Sequence, residues 1–374
     1  MNFERYLIDQ TLAHPATQPQ DIIKQCYQAA YGAEHLLSDM DRARNYIERE
    51  YASVAPNANI PLYEAISPQV CRINLAAWKQ RNWPLEWLFR MFADTASLST
   101  DRQQATHRFL SYLDTADSLI QSSQLPIAFS ATQWTETLST YKQSEMTAVH
   151  HSNTYRLAEH PAYRILHQDF VRLLPILEAV ADHLKHTPQT VDSTTCDPIS
   201  YPCIIAIDGR AASGKTTMAD QLAQILGCDV IRMDDFFLPP DLRTQERLQT
   251  PGGNVHYERF VEEVLPHLHA PKAFSYRRFD CHVMDYNGQR QISASPIRIV
   301  EGSYSHHPAL GDYAHINVFS HVAPEKQMDR ILHRNGPQMA NMFEARWIPM
   351  EEAYIQEYQI DTSSHIFIDS SNLF

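Results

Sequence analysis

Residues 209–216 read Gly-Arg-Ala-Ala-Ser-Gly-Lys-Thr, and this stretch decides the fold of the second half of the chain. The apolar run before it, residues 203–207 (CIIAI), predicts a short buried strand. The segment after it, residues 217–226 (TMADQLAQIL), has the apolar spacing of a helix. Glycines between a strand and a helix let backbone N–H groups turn toward an anion, and the helix N-terminus adds partial positive charge. The stretch therefore predicts a phosphate-binding loop.

The spacing within this loop assigns its chemistry. Lys215 can reach the β- and γ-phosphates of a nucleotide, and the Thr216 hydroxyl can bind Mg²⁺. We therefore expect ATP and Mg²⁺ as cofactors, with the choice between ATP and GTP left open. The predicted nucleotide-binding residues are Gly209, Ala211, Ala212, Ser213, Gly214, Lys215, Thr216 and Thr217.

Composition limits the class of protein. The chain has 374 residues, which is too long for one ordinary core, so we expect two domains. Its net charge is −13 and both halves are acidic, which argues against a nucleic acid as partner. The N-terminus lacks the apolar core of a signal peptide, and no apolar run could span a membrane. The six scattered cysteines fit a reducing compartment, so we expect a cytoplasmic protein without a membrane partner.

The two halves have different patterns. Nine of the ten glycines lie at or after Gly209, and four of the five tryptophans lie before it. Residues 187–199 are rich in Thr, Ser and Pro and lack apolar periodicity, which predicts a linker. We therefore expect a mostly helical domain over residues 1–186 and an α/β domain over residues 200–374.

Apolar periodicity predicts the individual elements. In the first half we expect a hairpin within residues 62–77, a last helix that begins near His160, and a kink or division of that helix at Pro175. Asp21 is expected to cap an early helix. The alternation of strands and helices in the second half predicts a largely parallel sheet. Its expected strands are 203–207, 228–232, 273–279, 297–301, 314–320 and 365–369, and its expected helices are 215–226, 257–268, 323–334 and 350–359.

Two predicted strands end in acidic residues. Because ligands lie outside the carboxyl ends of parallel strands, Asp234 is placed to accept a proton from a hydroxyl or hold it in line. The alternative for Asp234 is a capping role. Glu301 can orient Mg²⁺ through its water shell, or face solvent as a charged strand end. Asp235 is either a group that supports Mg²⁺ or a solvated acid, and Gly302 would permit close approach to the ligand.

The stretches GRAASGKTT, MDDFF and IVEGSY, in this order, resemble the P-loop small-molecule kinases that include uridine kinase, phosphoribulokinase and bacterial pantothenate kinase. The resemblance covers about residues 200–374. It implies that Asp234 is the catalytic base and that Glu301 is the acid at the V-E-G strand end. It also implies that Arg330 and Arg334 lie on a lid helix that closes on the phosphates, whereas the alternative is a solvated helix face.

The resemblance is weaker on the acceptor side. Tyr276 corresponds to a nucleoside-binding tyrosine of the uridine kinases, but His282 is displaced by one position from the matching histidine. Tyr304, His306 and His307 could line the mouth of the site. The candidate acceptor contacts are Asp235, Arg243, Tyr276, Arg277, Arg278, Asp280 and Tyr304.

The sequence thus favours ATP-dependent phosphorylation of a hydroxyl on a small metabolite, nucleoside-like first, with pantothenate-like or sugar-phosphate acceptors as alternatives. The other hypothesis is an ATP-binding switch that controls how the helical domain meets a partner. A switch has little use for Asp234, which favours the enzyme. His183 and His186 lie one helical turn apart without a third ligand at a recognisable spacing, so no transition-metal site is expected. The sequence leaves open the role of the helical domain and whether the chain forms a homo-oligomer.

Overall fold

The structure is a computed structural model that describes residues 2–33, 40–97, 101–186, 190–191, 198–199 and 202–371. Internal contacts divide the chain into two compact units, Met1–Val171 and Arg172–Phe374. The predicted linker, residues 187–199, lies mostly outside the described residues. The boundary at this linker therefore stays a prediction.

The first unit is mostly helical, as the scarcity of glycine predicts. Its helices are α1 Phe3–Ala13, α2 Pro19–Tyr31, α3 Met40–Ser53, α4 Leu75–Gln80, α5 Leu85–Ser97, α6 Arg102–Gln121, α7 Ala131–Lys142 and α8 Asn153–Glu159. One antiparallel sheet has the order β1-β2-β3, formed by β1 Tyr63–Ala65, β2 Val70–Asn74 and β3 Tyr163–His167. The first two strands confirm the hairpin predicted within residues 62–77.

Two local predictions for this unit were wrong. Asp21 is not the cap of α2; it is the third helical residue and completes a capping box with Gln18. The segment expected to begin a helix near His160 forms β3, because backbone pairing with β2 along its whole length outweighs the local helical preference. The helix begins only at Leu174, so Pro175 stands in its first turn, where its missing N–H costs nothing.

The second unit alternates strands and helices around a sheet. Its helices are α9 Leu174–His186, α10 Lys215–Leu226, α11 Gln245–Gln249, α12 Tyr257–Glu263, α13 Leu265–Leu268, α14 Pro324–Met342, α15 Ile348–Tyr358 and α16 Ile360–Ser363. Its strands are β4 Thr190–Val191, β5 Pro198–Ile199, β6 Cys203–Gly209, β7 Val230–Arg232, β8 Phe274–Asp280, β9 Asp285–Ile292, β10 Ile297–Glu301, β11 Ile316–His321 and β12 Ile366–Asp369.

Five of these strands form one parallel sheet in the order β12-β11-β6-β10-β7. All seven residues of the central strand β6 are buried, as expected for a parallel strand covered on both faces. On one face, Ile204 and Ala206 pack in a core cluster with Phe236, Phe260 and other apolar side chains. The α/β domain with a parallel sheet is therefore confirmed, and the carboxyl ends of β6, β7 and β10 meet at one edge.

Two elements of this unit differ from expectation. The predicted strand at residues 273–279 is β8, which pairs antiparallel with β9 in a separate hairpin and not with the central sheet. Helix α9, assigned by sequence to the helical domain, packs on β6 and β11, where it buries Ile176, Leu177 and Val180. Apolar periodicity shows which face of a helix is buried, but not which surface covers it.

Among the described residues, no helix combines the length and the apolar character needed to cross a membrane.

Candidate active site

The phosphate-binding loop connects β6 to α10 as predicted. Gly209 has a φ of 141°, and a Cβ there would lie 2.1 Å from the carbonyl oxygen of Ser320, so only glycine fits. Gly214 has a φ of 86° at the start of α10. The Lys215 ammonium donates to the carbonyl oxygens of Gly209 and Arg210 at 2.7 and 2.8 Å, which holds it inside the curve of the loop. The loop therefore presents one cation and a helix N-terminus to the same space.

Glu301 meets this loop from the end of the neighbouring strand β10. The Thr216 hydroxyl donates to Glu301 Oε1 at 3.0 Å, and the Arg232 guanidinium donates to Oε2 at 2.7 Å. Glu301 is 5% exposed, so it is not a solvated strand end. A hydroxyl and a carboxylate side by side beside a phosphate loop are the oxygen donors that Mg²⁺ prefers, so this donor set fits the predicted metal.

Asp234 follows β7 in a 3-10 turn, Met233–Phe236, and lines the same cavity as the loop. Water reaches the side chain from the cavity, while the surrounding protein partly desolvates it. This desolvation and the negative charge of Glu301 raise the pKa of Asp234, and the Lys215 ammonium opposes the shift. A carboxyl with a raised pKa is a better proton acceptor than an ordinary aspartate.

Asp235, one residue later, points away from this cavity. It is 5% exposed, accepts from the Tyr276 hydroxyl at 2.9 Å and pairs with Arg290 at 2.7 Å. Its role is therefore to attach the β8-β9 hairpin to the end of β7. It is neither a solvated acid nor a cavity residue, because the β8-β9 hairpin covers it. The sequence did not predict this, since the hairpin reaches Asp235 only through tertiary contacts.

Four other predicted acceptor contacts, Tyr276, Arg277, Arg278 and Asp280, also lie outside the cavity. Tyr276 is 2% exposed and bound to Asp235. Arg277 pairs with Glu263 at 2.7 Å, and Asp280 accepts from Asn287 at 3.1 Å. These polar groups serve the hairpin and α12, and Arg278 likewise pairs with acids of the hairpin region. Among the predicted acceptor residues, Arg243 and Tyr304 line the cavity.

The cavity has a volume of about 640 Å³. It is lined on the nucleotide side by residues 211–217 of the phosphate-binding loop, and Gly209 lies beneath them as part of β6. Its lining also includes Phe237, Arg243, Asn254 and Tyr304. Asn254 is 6% exposed, and its side-chain oxygen has no hydrogen-bond partner among the described residues. The cavity therefore brings the predicted phosphate-binding residues and two predicted acceptor contacts, Arg243 and Tyr304, into one space.

Helix α14 brings both predicted arginines to this cavity. Arg330 donates to the carbonyl oxygens of Ala212 and Ser370 at 3.2 and 2.7 Å, and Arg334 lines the cavity with its Nε bound to Asn335 at 2.8 Å. The alternative of a wholly solvated helix face is therefore wrong. Gly336, with a φ of 77°, and Pro337 interrupt the helix soon afterwards, and a break of this kind is a natural bending point.

Sequence reasoning missed two site residues, Glu351 and Arg232. Glu351 on α15 is 8% exposed; its carboxylate accepts from the Ala211 backbone N–H at 2.8 Å and from the Ser303 hydroxyl at 2.7 Å. Burial raises the pKa of Glu351. This residue contacts the loop from 140 positions downstream, and no local motif marked it. Arg232 pairs with Glu301 and Asp220, a contact that the strand end alone did not predict.

The segment after Glu301 was partly misinterpreted. Gly302 lines the cavity, and a Cβ there would lie 2.7 Å from the Cβ of Met233 at a φ of 138°, so the glycine also permits close packing of the chain segments that follow β7 and β10. His306 and His307 do not line the cavity; their ring nitrogens face the carbonyl oxygens of Ala206 and Pro251. These two side chains point into the protein because their ring nitrogens pair with backbone carbonyl groups there.

Solved structures similar to this chain include three proteins whose names are those of kinases. A protein named as a possible uridine kinase from Bacillus stearothermophilus is 18% identical, with a TM-score of 0.35, and the match covers 52% of this chain and 100% of that one. A candidate fructose transport system kinase from Silicibacter sp. TM1040 is 17% identical, with a TM-score of 0.40 and coverage of 52% and 98%. D-glycerate 3-kinase from Cryptococcus neoformans is 13% identical, with a TM-score of 0.37 and coverage of 54% and 94%.

The N-terminal region is unmatched in these comparisons. No family model matches the sequence, and no curated protein matches it.

Proposed function

We propose that this protein transfers the γ-phosphoryl group of ATP to a hydroxyl of a small metabolite, with Mg²⁺ as cofactor. The observation that supports the proposal is that Lys215, Thr216, Glu301 and Asp234 line one cavity. The first three suit a nucleotide and its metal, whereas Asp234 suits an acceptor hydroxyl. A protein that only binds a nucleotide does not need a carboxylate in the position of Asp234.

In this reaction the acceptor oxygen attacks the γ-phosphorus, the bond to the β,γ-bridging oxygen breaks, and ADP leaves. Asp234 takes the hydroxyl proton. Lys215 exchanges its two carbonyl contacts for phosphate oxygens, and Arg330 and Arg334 neutralise charge on the transferring group. Thr216 and Glu301 would hold Mg²⁺, which supplies charge neutralisation on the phosphates.

Two residues indicate the chemistry of the acceptor. Arg243 is held by a 2.8 Å hydrogen bond from its Nε to the Leu238 carbonyl, and no described carboxylate lies within ion-pair distance of it. The side-chain oxygen of Asn254, buried and unpartnered, can accept a hydrogen bond from a second acceptor hydroxyl or amide. We therefore propose an acceptor that carries an anionic group as well as hydroxyls. This places hydroxy acids and sugar phosphates ahead of the neutral nucleoside that the sequence suggested.

The test is an ATP-consumption assay with the full chain, Mg²⁺ and separate panels of hydroxy acids, sugar phosphates and nucleosides. We expect an anionic panel member to stimulate turnover. Arg243→Gln should raise the KM for that acceptor at least about tenfold without changing the KM for ATP, since it removes a charge-assisted contact. Arg277→Gln is the matched control, because Arg277 lies outside the cavity and pairs with Glu263.

Stimulation by nucleosides alone would replace the anionic acceptor with a neutral one. If no acceptor stimulates turnover, while ATP binding changes how residues 1–186 meet a partner, the nucleotide-dependent switch replaces the kinase.

A further inference from the structure

A second cluster of chemically reactive side chains lies at the opposite end of the central sheet. Cys203 is the first residue of β6, His315 directly precedes β11, and His183 lies in the last turn of α9. Cys203 and Gly209 lie at opposite ends of the seven-residue strand β6, a distance of roughly 20 Å. The cluster is therefore separate from the proposed active site.

The geometry of this cluster is compact. One ligating atom from each of the three side chains lies within 4.8 Å of the other two. The rings of His183 and His315 are 4.3 Å apart at an interplanar angle of 51°, and the His269 ring lies 5.7 Å from that of His315. Ligand atoms around a tetrahedral zinc ion are roughly 3.5 Å apart, so the three groups need shifts of only about 1 Å to share one ion.

The less specific explanation is a buried thiol beside two packed imidazole rings. Cys203 is fully buried and on its own would serve as a small apolar side chain. This explanation accounts for the thiol but not for three imidazoles at the same corner of the sheet, since histidine is a poor choice for packing alone. Imidazole and thiolate together are the ligands that zinc selects, and the hard cation Mg²⁺ does not select them.

We propose that His183, Cys203 and His315 bind one zinc ion, with His269 or water as the fourth ligand. The ion would tie α9 to the amino ends of β6 and β11. It is a structural site, because it lies at the end of the sheet away from the phosphate-binding loop.

A hydrogen bond of His315 opposes zinc binding and must change before this ring can bind the ion. The Nδ1 atom of His315 accepts the backbone N–H of Ile204 at 2.9 Å, so the proton of the neutral ring is on Nε2. Zinc binding at Nε2 requires that proton to move to Nδ1, and zinc binding at Nδ1 displaces the Ile204 N–H, so in either case this hydrogen bond breaks. One such hydrogen bond is worth far less than the free energy with which structural zinc sites bind.

The experiment is titration of the full chain, without an affinity tag and after removal of metal by a chelator, with Zn²⁺ and with Co²⁺ as a spectroscopic probe. We expect one equivalent of zinc, unaffected by millimolar Mg²⁺, and a thiolate-to-cobalt absorption band in the near ultraviolet. Cys203→Ala should abolish this band. His183→Ala and His315→Ala should each weaken binding at least about 100-fold, since each removes a direct ligand.

The matched controls are His186→Ala, on the same helix turn, and Cys228→Ser, a thiol outside the cluster; both should bind zinc as the unaltered chain does. Circular dichroism identifies any variant that fails to fold, and if Cys203→Ala fails, the comparison of His183→Ala with His186→Ala decides. Uptake below about 0.1 equivalent, persistence of the band in Cys203→Ala, or equal zinc affinity of His183→Ala and His186→Ala would overturn the proposal.

Discussion

Replacing Asp234 with asparagine separates chemistry from binding at the proposed active site. The substitution keeps the shape of the side chain but removes its charge and its ability to accept a proton. Assistance by a general base contributes typically 10²–10⁴-fold, or about 3–5 kcal/mol of barrier. We therefore expect kcat for the acceptor-dependent reaction to fall by roughly that factor, while the affinity for Mg·ATP stays near that of the unaltered chain.

The structure adds a second expectation for the same variant. Desolvation and the charge of Glu301 raise the pKa of Asp234, so the folded protein disfavours the ionised form of this carboxyl. Asparagine resembles the neutral form, and the variant should consequently be at least as stable as the unaltered chain at neutral pH. For the same reason, kcat/KM of the unaltered enzyme should fall with decreasing pH through a pKa above the ordinary value of 3.8.

The assay pairs calorimetric titration of ATP with turnover measured on the acceptor found in the panels, and thermal unfolding reports stability. Asp241→Asn is the control for loss of an exposed acid in the same segment. Asp235→Asn provides a contrast, because it breaks the contacts with Tyr276 and Arg290 and should lower stability. Turnover of Asp234→Asn within about threefold of the unaltered chain would refute its role as base.

Three further predictions concern other parts of the chain. Lys215→Ala should leave the fold intact and reduce turnover by orders of magnitude; unchanged ATP affinity and turnover would contradict the phosphate-loop assignment. Gly302→Ala should lower the free energy of unfolding by about 2–4 kcal/mol, because the new Cβ would lie 2.7 Å from that of Met233 and the φ is 138°. Gly288→Ala is the control: a Cβ there meets nothing within 4 Å, so denaturant titrations should show a smaller loss of stability. Although burial lowers it, hydrogen bonds to two carboxylates raise the net pKa of His14, so this residue should stabilise the first unit below pH 6.5 and lose that effect as the pH rises through its folded-state pKa. Tryptophan fluorescence in denaturant at several pH values checks this, and an unchanged pH dependence in His14→Asn would contradict it.

Local sequence determined the elements whose functional residues are consecutive in the chain. The strand, the phosphate-binding loop and helix α10 could be predicted because turn geometry, helix start and strand burial all depend on neighbouring residues. The acid at the end of β10 was also predictable, since parallel strands end at a common edge. The division into a helical part and an α/β part followed from glycine distribution and apolar periodicity.

Tertiary structure decided the contacts between distant segments. Adjacent acids took opposite roles because the β8-β9 hairpin covers Asp235 and leaves Asp234 at the cavity. Glu351 reached the loop from α15, and α9 covered a sheet that the sequence assigned to another domain. Periodicity reports that a face is buried and local motifs report backbone shape, but neither identifies the partner across a long sequence separation. That choice depends on the summed packing and hydrogen bonding of the whole unit, which only the folded chain determines.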